Sequence, residues 1–344
     1  MKKIKSILNS CFLLLFLVIA CASCQKDLDG TPRTSPGNLQ IERIEPDSAS
    51  GGAVLIVRGH GLGQISSVIF ERDSVPATFN PVFNTDDALV FRVPDTASGG
   101  IQNIIFTNTR GDVGTATFRV IAVPSVLTVS TTDVTAGTEL IMTGINFEDV
   151  SRISLDSTDI DAEIISTSRK ELTVRMPATT RPRVRLAIHN SSGSSVTTQE
   201  FVYVENNYQI FGDALNANIN NSSWSTSLTN TSDAAFVKFG TTALKAEYTG
   251  SWGGLQLAMK TPVNLAPYRY VTFWVKGASV ATNISFNFNW EKTQTLSVPA
   301  NVWKYFKIDL QTFKGAGVAN LETFVMQING DPHTLYLDNI LLVK

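Results

Sequence analysis

Beyond residue 24 the chain has no cysteine; its three lie at positions 11, 21 and 24. No disulfide can staple the folded part, which must be held by buried apolar surface alone. Histidine is almost as scarce, with His60, His189 and His333 far apart in the chain. That scatter excludes a histidine-based triad or zinc site. No Gly-x-Ser-x-Gly, His-Glu-x-x-His or P-loop pattern occurs, and no acidic pair sits in a recognisable catalytic motif. No basic cluster follows the first residues and the formal charge is −2, which argues against nucleic acid as a partner. After residue 22 no apolar run is long enough to span a bilayer, and no segment keeps helical periodicity for three turns. Tryptophan is absent from the first 223 residues, and all five then fall at positions 224, 252, 274, 290 and 303.

The front of the chain carries Lys2, Lys3 and Lys5, then an apolar run over residues 11–22, too short for a permanent membrane helix. Ala22 and Ser23 precede Cys24, and Lys26-Asp27 follows it. This arrangement resembles a bacterial lipoprotein signal over residues 1–23 with lipidation at Cys24, and the tag behind it resembles the surface-export tag of Bacteroidota lipoproteins. Cys21, after Val18-Ile19-Ala20, is the rival lipid site. Residues 24–38 hold Gly30, Pro32, Ser35, Pro36 and Gly37 among polar residues and read as a flexible stalk.

Past the stalk, short Val/Ile/Thr/Phe runs alternate with Gly, Pro, Asn, Asp and Ser clusters, the punctuation of an all-β protein. An internal repeat is visible: residues 56–70 align without gaps on 141–155. Each copy goes on to a Leu-x-x-Arg-x-Pro strand (Leu89 to Pro94, Leu172 to Pro177), an Asn-x-x-Gly turn (Asn108 to Gly111, Asn190 to Gly193) and an apolar closing strand. A period of about 80 to 85 residues is that of a small β-sandwich. Pro46, Gly51-Gly52 and Ile56-Val57-Arg58-Gly59 resemble the opening of an IPT/TIG domain, an immunoglobulin-like sandwich. Gly51-Gly52 suits a tight turn, and Gly59 is expected to end its strand at positive φ. The second copy keeps Gly137 and the family's Gly144-x-x-Phe147 turn; the first departs from it with Leu62. The resemblance implies IPT/TIG domains at 39–123 and 124–205, acting as spacers.

Residues 206–344 differ. Val271, Phe273 and Val275 alternate with Thr272, Trp274 and Lys276; Ile284, Phe286 and Phe288 with Ser285, Asn287 and Asn289; Phe306, Ile308 and Leu310 with Tyr305, Lys307 and Asp309; Phe324, Met326 and Ile328 with Val325, Gln327 and Asn329. Each strand has one core face and one polar face, and the segment is the size of one jelly-roll sandwich. Its Gly240 to Tyr248, Trp252 to Leu257, Tyr270 to Gly277, Trp303 to Leu310 and Leu335 to Ile340 runs resemble the galactose-binding-like jelly rolls found as carbohydrate-binding modules. The expected fold is thus all-β, two immunoglobulin-like sandwiches followed by a jelly roll.

Sugar binding gives tryptophan a physical task, because the C–H face of a pyranose packs on an indole while its hydroxyls seek planar amides. Trp252 lies among glycines in residues 249–254, and Trp224 lies in the polar segment 220–225. Trp290 follows Asn287 and Asn289, but its parity also places it with the core Phe residues. Trp274 and Trp303 read more readily as packing. The candidate carbohydrate-binding set is Trp252, Trp290, Trp224, Asn287, Asn289 and Gln256, so binding is expected to reside wholly in residues 206–344. Asp213 and Asp338 are candidate oxygen ligands of a structural calcium, as the related jelly rolls imply; no cofactor is otherwise required.

Together these features resemble the surface glycan-binding lipoproteins of Bacteroidota. The resemblance implies a non-enzymatic, lipid-anchored protein on the outer face of the outer membrane, capturing a polysaccharide such as a β-glucan beside an importer and its lid lipoprotein. A structural or adhesive surface protein, or an accessory module of a glycan-degrading complex, are the alternatives. Asp47-Ser48-Ala49, Asp73-Ser74-Val75, Asp95-Thr96-Ala97 and Asp156-Ser157-Thr158 also resemble the Bacteroidota O-glycosylation motif.

Overall fold

The computed structural model describes residues 38–344. The signal segment, Cys21, Cys24 and the stalk to residue 37 lie outside the described residues. What is described is almost entirely strand and turn, and it divides into two compact units, one ending at Ala122 and one running Val123–Lys344.

The first unit is a sandwich. A sheet of Gln40–Glu45, Val54–His60 and Ala88–Arg92 faces a sheet of Ser48–Ser50, Val113–Ile121, Gly100–Asn108, Ile65–Phe70 and Val75–Pro76. The inward residues of both sheets bury Leu55, Val57, Leu89, Ile104 and Val120 around four edge-packed rings, Phe70, Phe91, Phe106 and Phe118. Gly52 turns at φ 78°, as its sequence position requires. Gly59 does not end its strand at positive φ. It lies within the strand Val54–His60, and a Cβ there would sit 2.0 Å from the Gln40 carbonyl oxygen. Its repeat counterpart Gly144 meets the Ser125 carbonyl oxygen at the same 2.0 Å. The positive φ falls two residues later in both copies, at Gly61 (71°) and Asn146 (63°). Leu62 and Phe147, the position where the copies differ, are both fully buried. The repeat is thus preserved by close backbone approach as well as by turn chemistry.

The second unit contains two cores. One lies in a sandwich built from Ser125–Val129, Glu139–Ile145, Glu171–Arg175 and Glu163–Thr167 on one side, and the short sheets around Leu186–Asn190 and Phe201–Tyr203 on the other. The other lies in a jelly roll of two antiparallel sheets. Its five-stranded sheet runs Ile219–Asn221, Gly254–Asn264, Asn320–Ile328, Thr282–Phe288, Glu291–Val298. Its six-stranded sheet runs Thr226–Thr231, Ala243–Tyr248, Thr334–Val343, Tyr270–Gly277, Trp303–Asp309, with Tyr208–Phe211 also paired to Thr334–Val343. The alternation read from the sequence is the alternation observed. Phe273, Ile284, Phe286, Phe288, Phe324, Met326 and Ile328 are fully buried between the sheets.

The expected boundary near residue 205 separates two cores but not two compact units. Val202 and Val204 from the end of the sandwich bury against Leu341 and Val343 of the jelly roll, with Phe239 and Tyr270 closing over them. The outer face of the six-stranded sheet is therefore a packed face.

Candidate functional site

The outer face of the five-stranded sheet is where the aromatic residues gather. On the strand Gly254–Asn264, Leu255 and Leu257 point into the core, so Gly254 and Gln256 point outward. The register lines up Gly254, Gln327 and Ser285 across three strands, and likewise Gln256, Val325 and Asn287. Val325 and Asn287 are nevertheless only 0 % and 3 % exposed. Something covers an outward face, and over Gly254 the cover is tryptophan.

Trp224 reaches this face from the edge of the sheet. Its backbone bonds to Gly254 in both directions, N–H to carbonyl at 3.0 Å each way, and its ring lies directly on the Gly254 backbone. A Cβ on Gly254 would come within 2.1 Å of the indole. Trp290 packs against Trp224 with ring centroids 5.4 Å apart and planes tilted by 34°. Trp252 comes from the adjoining glycine-rich loop, and its carbonyl accepts both the Trp224 indole N–H at 2.8 Å and the Gln327 side-chain amide at 3.2 Å. Three tryptophans from three separate segments thus form one assembly.

Their roles divide by exposure. Trp252 is 61 % exposed and Trp290 53 %. Trp224 is half-buried and its only donor is already used. The first two present open indole surface; the third supports them.

Strand parity predicts Trp290 on the core side, and it does not lie there. Asn289 and Trp290 form the two central positions of the hairpin between Thr282–Phe288 and Glu291–Val298, at φ 53° and 64°. Strand parity ends at that turn, and a turn with two positive φ values suits the twist of a hairpin. Asparagine adopts this region readily; a bulky tryptophan does so only when its surroundings hold it there. Asn287 and Asn289 supply the hold. The Asn287 side-chain oxygen accepts the Trp290 N–H at 3.0 Å. The Asn289 side-chain oxygen accepts the Glu322 and Thr323 N–H groups at 2.8 and 2.9 Å, and its amide donates to the Asn320 carbonyl at 2.8 Å. Asn287 is buried and Asn289 has its amide committed to backbone, so both position the indole and neither offers a free amide to a sugar. Gln256 differs: it is half-buried on the open face, and its side chain forms no hydrogen bond with the described residues. Sequence reasoning misses Gln327, which ties the Trp252 loop to the sheet; its parity with Asn329 on the polar face is the available signal.

Trp274 sits on the opposite sheet. Its indole N–H donates to the Asp133 carboxylate of the preceding sandwich at 3.0 Å, its ring lies 4.9 Å from that of Tyr305, and the Lys238 ammonium lies 4.7 Å above it. It is a joint residue.

The calcium expectation meets the donor chemistry of its two aspartates. Asp338 accepts the Lys238 and Phe239 N–H groups on one oxygen, at 2.8 and 3.1 Å, and the Asn339 N–H on the other at 2.9 Å. Asp213 accepts the Thr241 and Thr242 N–H groups at 2.6 and 2.8 Å. Five N–H dipoles aimed at two carboxylates take the place a cation would occupy and present positive ends where a metal needs oxygens. Among the described residues no cluster of three His, Cys, Asp or Glu side chains forms a metal site. The two aspartates staple the loop of residues 237–242.

No protein-family model matches the chain, and no curated protein does. Among solved structures, the surface glycan-binding protein SGBP-B of Prevotella bryantii is 16 % identical, with a TM-score of 0.55 over 90 % of this chain and 99 % of that one. An SGBP-B from a complex xyloglucan utilisation locus of Bacteroides uniformis is 17 % identical, with a TM-score of 0.46 over 88 % and 99 %. One from the mixed-linkage glucan utilisation locus of Bacteroides ovatus, solved with a mixed-linkage heptasaccharide, is 13 % identical, with a TM-score of 0.33 over 89 % and 75 %. By the first of these, the chain shares its fold with a surface glycan-binding protein along nearly the whole length of both molecules.

Proposed function

We propose that this protein captures polysaccharide at the cell surface, on the outer face of the five-stranded sheet. The observation that carries the reading is the convergence of Trp224, Trp252 and Trp290 on one solvent-facing surface, two of them more than half exposed. Exposed indole of that extent is costly unless it has a ligand, and the ligand class that pairs apolar rings with hydroxyls is a glycan. Trp252 and Trp290 stack on sugar rings; Gln256 meets a hydroxyl; Trp224, Asn287, Asn289 and Gln327 hold the platform. The fold shared with the Prevotella bryantii protein supports the same reading, as does the absence of any catalytic motif in the sequence: the protein binds and does not hydrolyse.

Lipidation at Cys24 would anchor it in the outer membrane beside an importer and lid lipoprotein, where weak contacts along one glycan chain add through multivalency. An unbranched β-glucan, whose equatorial glucosyl units suit stacking, is the first ligand to test. Affinity electrophoresis through gels containing β-glucan, xyloglucan, mannan or xylan should retard the chain in at least one, with no release of reducing sugar. Free migration in every gel would leave the adhesive reading; steady release of sugar would make the protein an enzyme.

A further inference from the structure

The joint inside the second unit contains a carboxyl group that the glycan face does not use. Asp133 belongs to the sandwich, in the short strand Asp133–Val134, and is completely buried beneath the jelly roll. One of its oxygens accepts the Trp274 indole N–H and the Asn339 amide N–H, both at 3.0 Å. The other oxygen is buried and has no hydrogen-bond donor. A buried carboxylate oxygen without a donor is expensive when charged, and taking up a proton removes that charge from the interior.

We propose that Asp133 is a proton-dependent latch between the second sandwich and the jelly roll: protonated, it closes the joint, and ionised, it loosens it.

The groups facing Asp133 fit this role. From the jelly roll they are Lys238, whose Nζ reaches across to the Ser130 carbonyl at 3.0 Å, Asp338 on the strand Thr334–Val343, and Tyr305 on Trp303–Asp309. Glu200 is not free to compensate, being held between Arg183 at 2.8 Å and Lys307 at 2.5 Å. Lys238 lines an open groove of about 470 Å³ at the edge of the joint, together with Ser130, Thr131 and Glu139, so solvent reaches the lysine beside the latch. Burial is the largest influence on Asp133 and pushes its pKa up to about 7; the Asn339 and Trp274 hydrogen bonds and Lys238 pull it down without prevailing, and Asp338 adds to the rise. A folded-state pKa above the ordinary carboxylate value means that the closed joint holds an extra proton between about pH 4 and pH 7. Stability from this group is complete below that window and is lost as pH rises through it.

The test compares the chain with Asp133→Asn, which keeps the shape and an oxygen for Trp274 and supplies a permanent amide N–H. Asp338, also raised by burial, to about 6, remains in both chains, so the decisive interval is pH 6 to 7. The wild-type Tm of the second unit should fall across that interval by about 4 °C, while that of Asp133→Asn, in which Asp338 alone still titrates, should fall by only about 1 °C. Equal slopes in the two chains would overturn the proposal. Should the variant fail to fold, carboxyl-carbon titration of the wild-type chain decides alone. An Asp133 signal that titrates near 7 supports the latch, and one that titrates near 4 refutes it.

Discussion

The two sheets of the jelly roll bury the same kind of inward face and do opposite things with their outward ones. On the five-stranded sheet, Trp252 and Trp290 stand in solvent beside a half-buried Trp224. On the six-stranded sheet, Trp274 is tucked against Asp133 and Tyr305, while Leu341 and Val343 disappear beneath the preceding sandwich. Tryptophan serves as ligand platform in one place and as joint in the other. Its partner's chemistry separates the roles. The Trp274 N–H is spent on a carboxylate from another module, whereas the Trp224 N–H is spent within the platform, leaving two other indoles open.

The sharpest way to break this comparison is to remove the sandwich. A fragment of residues 206–344 uncovers Leu341, Val343 and Trp274, and each fully buried apolar side chain is worth about 1.5–3 kcal/mol. Its Tm should fall on the order of 10 °C below that of residues 124–344, or the fragment should be recovered as aggregate. Equal melting curves would mean that the joint contributes nothing. Whatever fraction folds should still be retarded in glycan gels, because the platform lies on the other sheet.

Trp274→Ala carries the same idea to one residue. It should cost about 3 kcal/mol in thermal or denaturant unfolding, through lost packing and an uncompensated Asp133, with glycan affinity unchanged. Trp252→Ala and Trp290→Ala should show the reverse pattern. Each should lose about 2 kcal/mol of binding, roughly 30-fold in Kd by calorimetry, with a Tm within a degree of wild type. A large drop in Tm for Trp252→Ala with retained binding would move the site elsewhere. The smallest effect is expected from Gly254→Ala. Its methyl would press on the Trp224 ring and tilt the platform, weakening binding about threefold by calorimetry, a change of under 1 kcal/mol. Unaltered affinity would show that Trp224 is not the support argued above.

Much of this architecture is legible in the order of the residues. Period-two alternation locates the core residues of the jelly roll, because both sheets are half-buried and parity decides which side chains face inward. The repeat runs through the strands that enclose the two earlier cores. Three failures share one cause, namely that parity and turn chemistry are local. Parity places Trp290 on the core side only if it is carried two residues past the strand, into a turn. Turn chemistry asks for a positive φ at Gly59, although its constraint is the Gln40 carbonyl, distant in sequence. Alternation puts Val325 on the outward, polar face; it is outward, yet fully buried. The joint is invisible for the same reason. Nothing near Asp133 in the sequence announces that Trp274 and Asn339, more than a hundred residues on, will meet it.

The tight turns that carry the indoles have an evolutionary consequence. Trp290 occupies a two-residue hairpin tip and Trp252 a glycine-lined loop, while the strands that lead to them spend their inward side chains on the core. Descendants of this chain can therefore exchange the aromatic at either tip, or lose it, and leave the interior undisturbed. Ligand preference is free to drift quickly as the glycans on offer change, whereas the joint, where every substitution is felt by two modules at once, is bound to drift slowly.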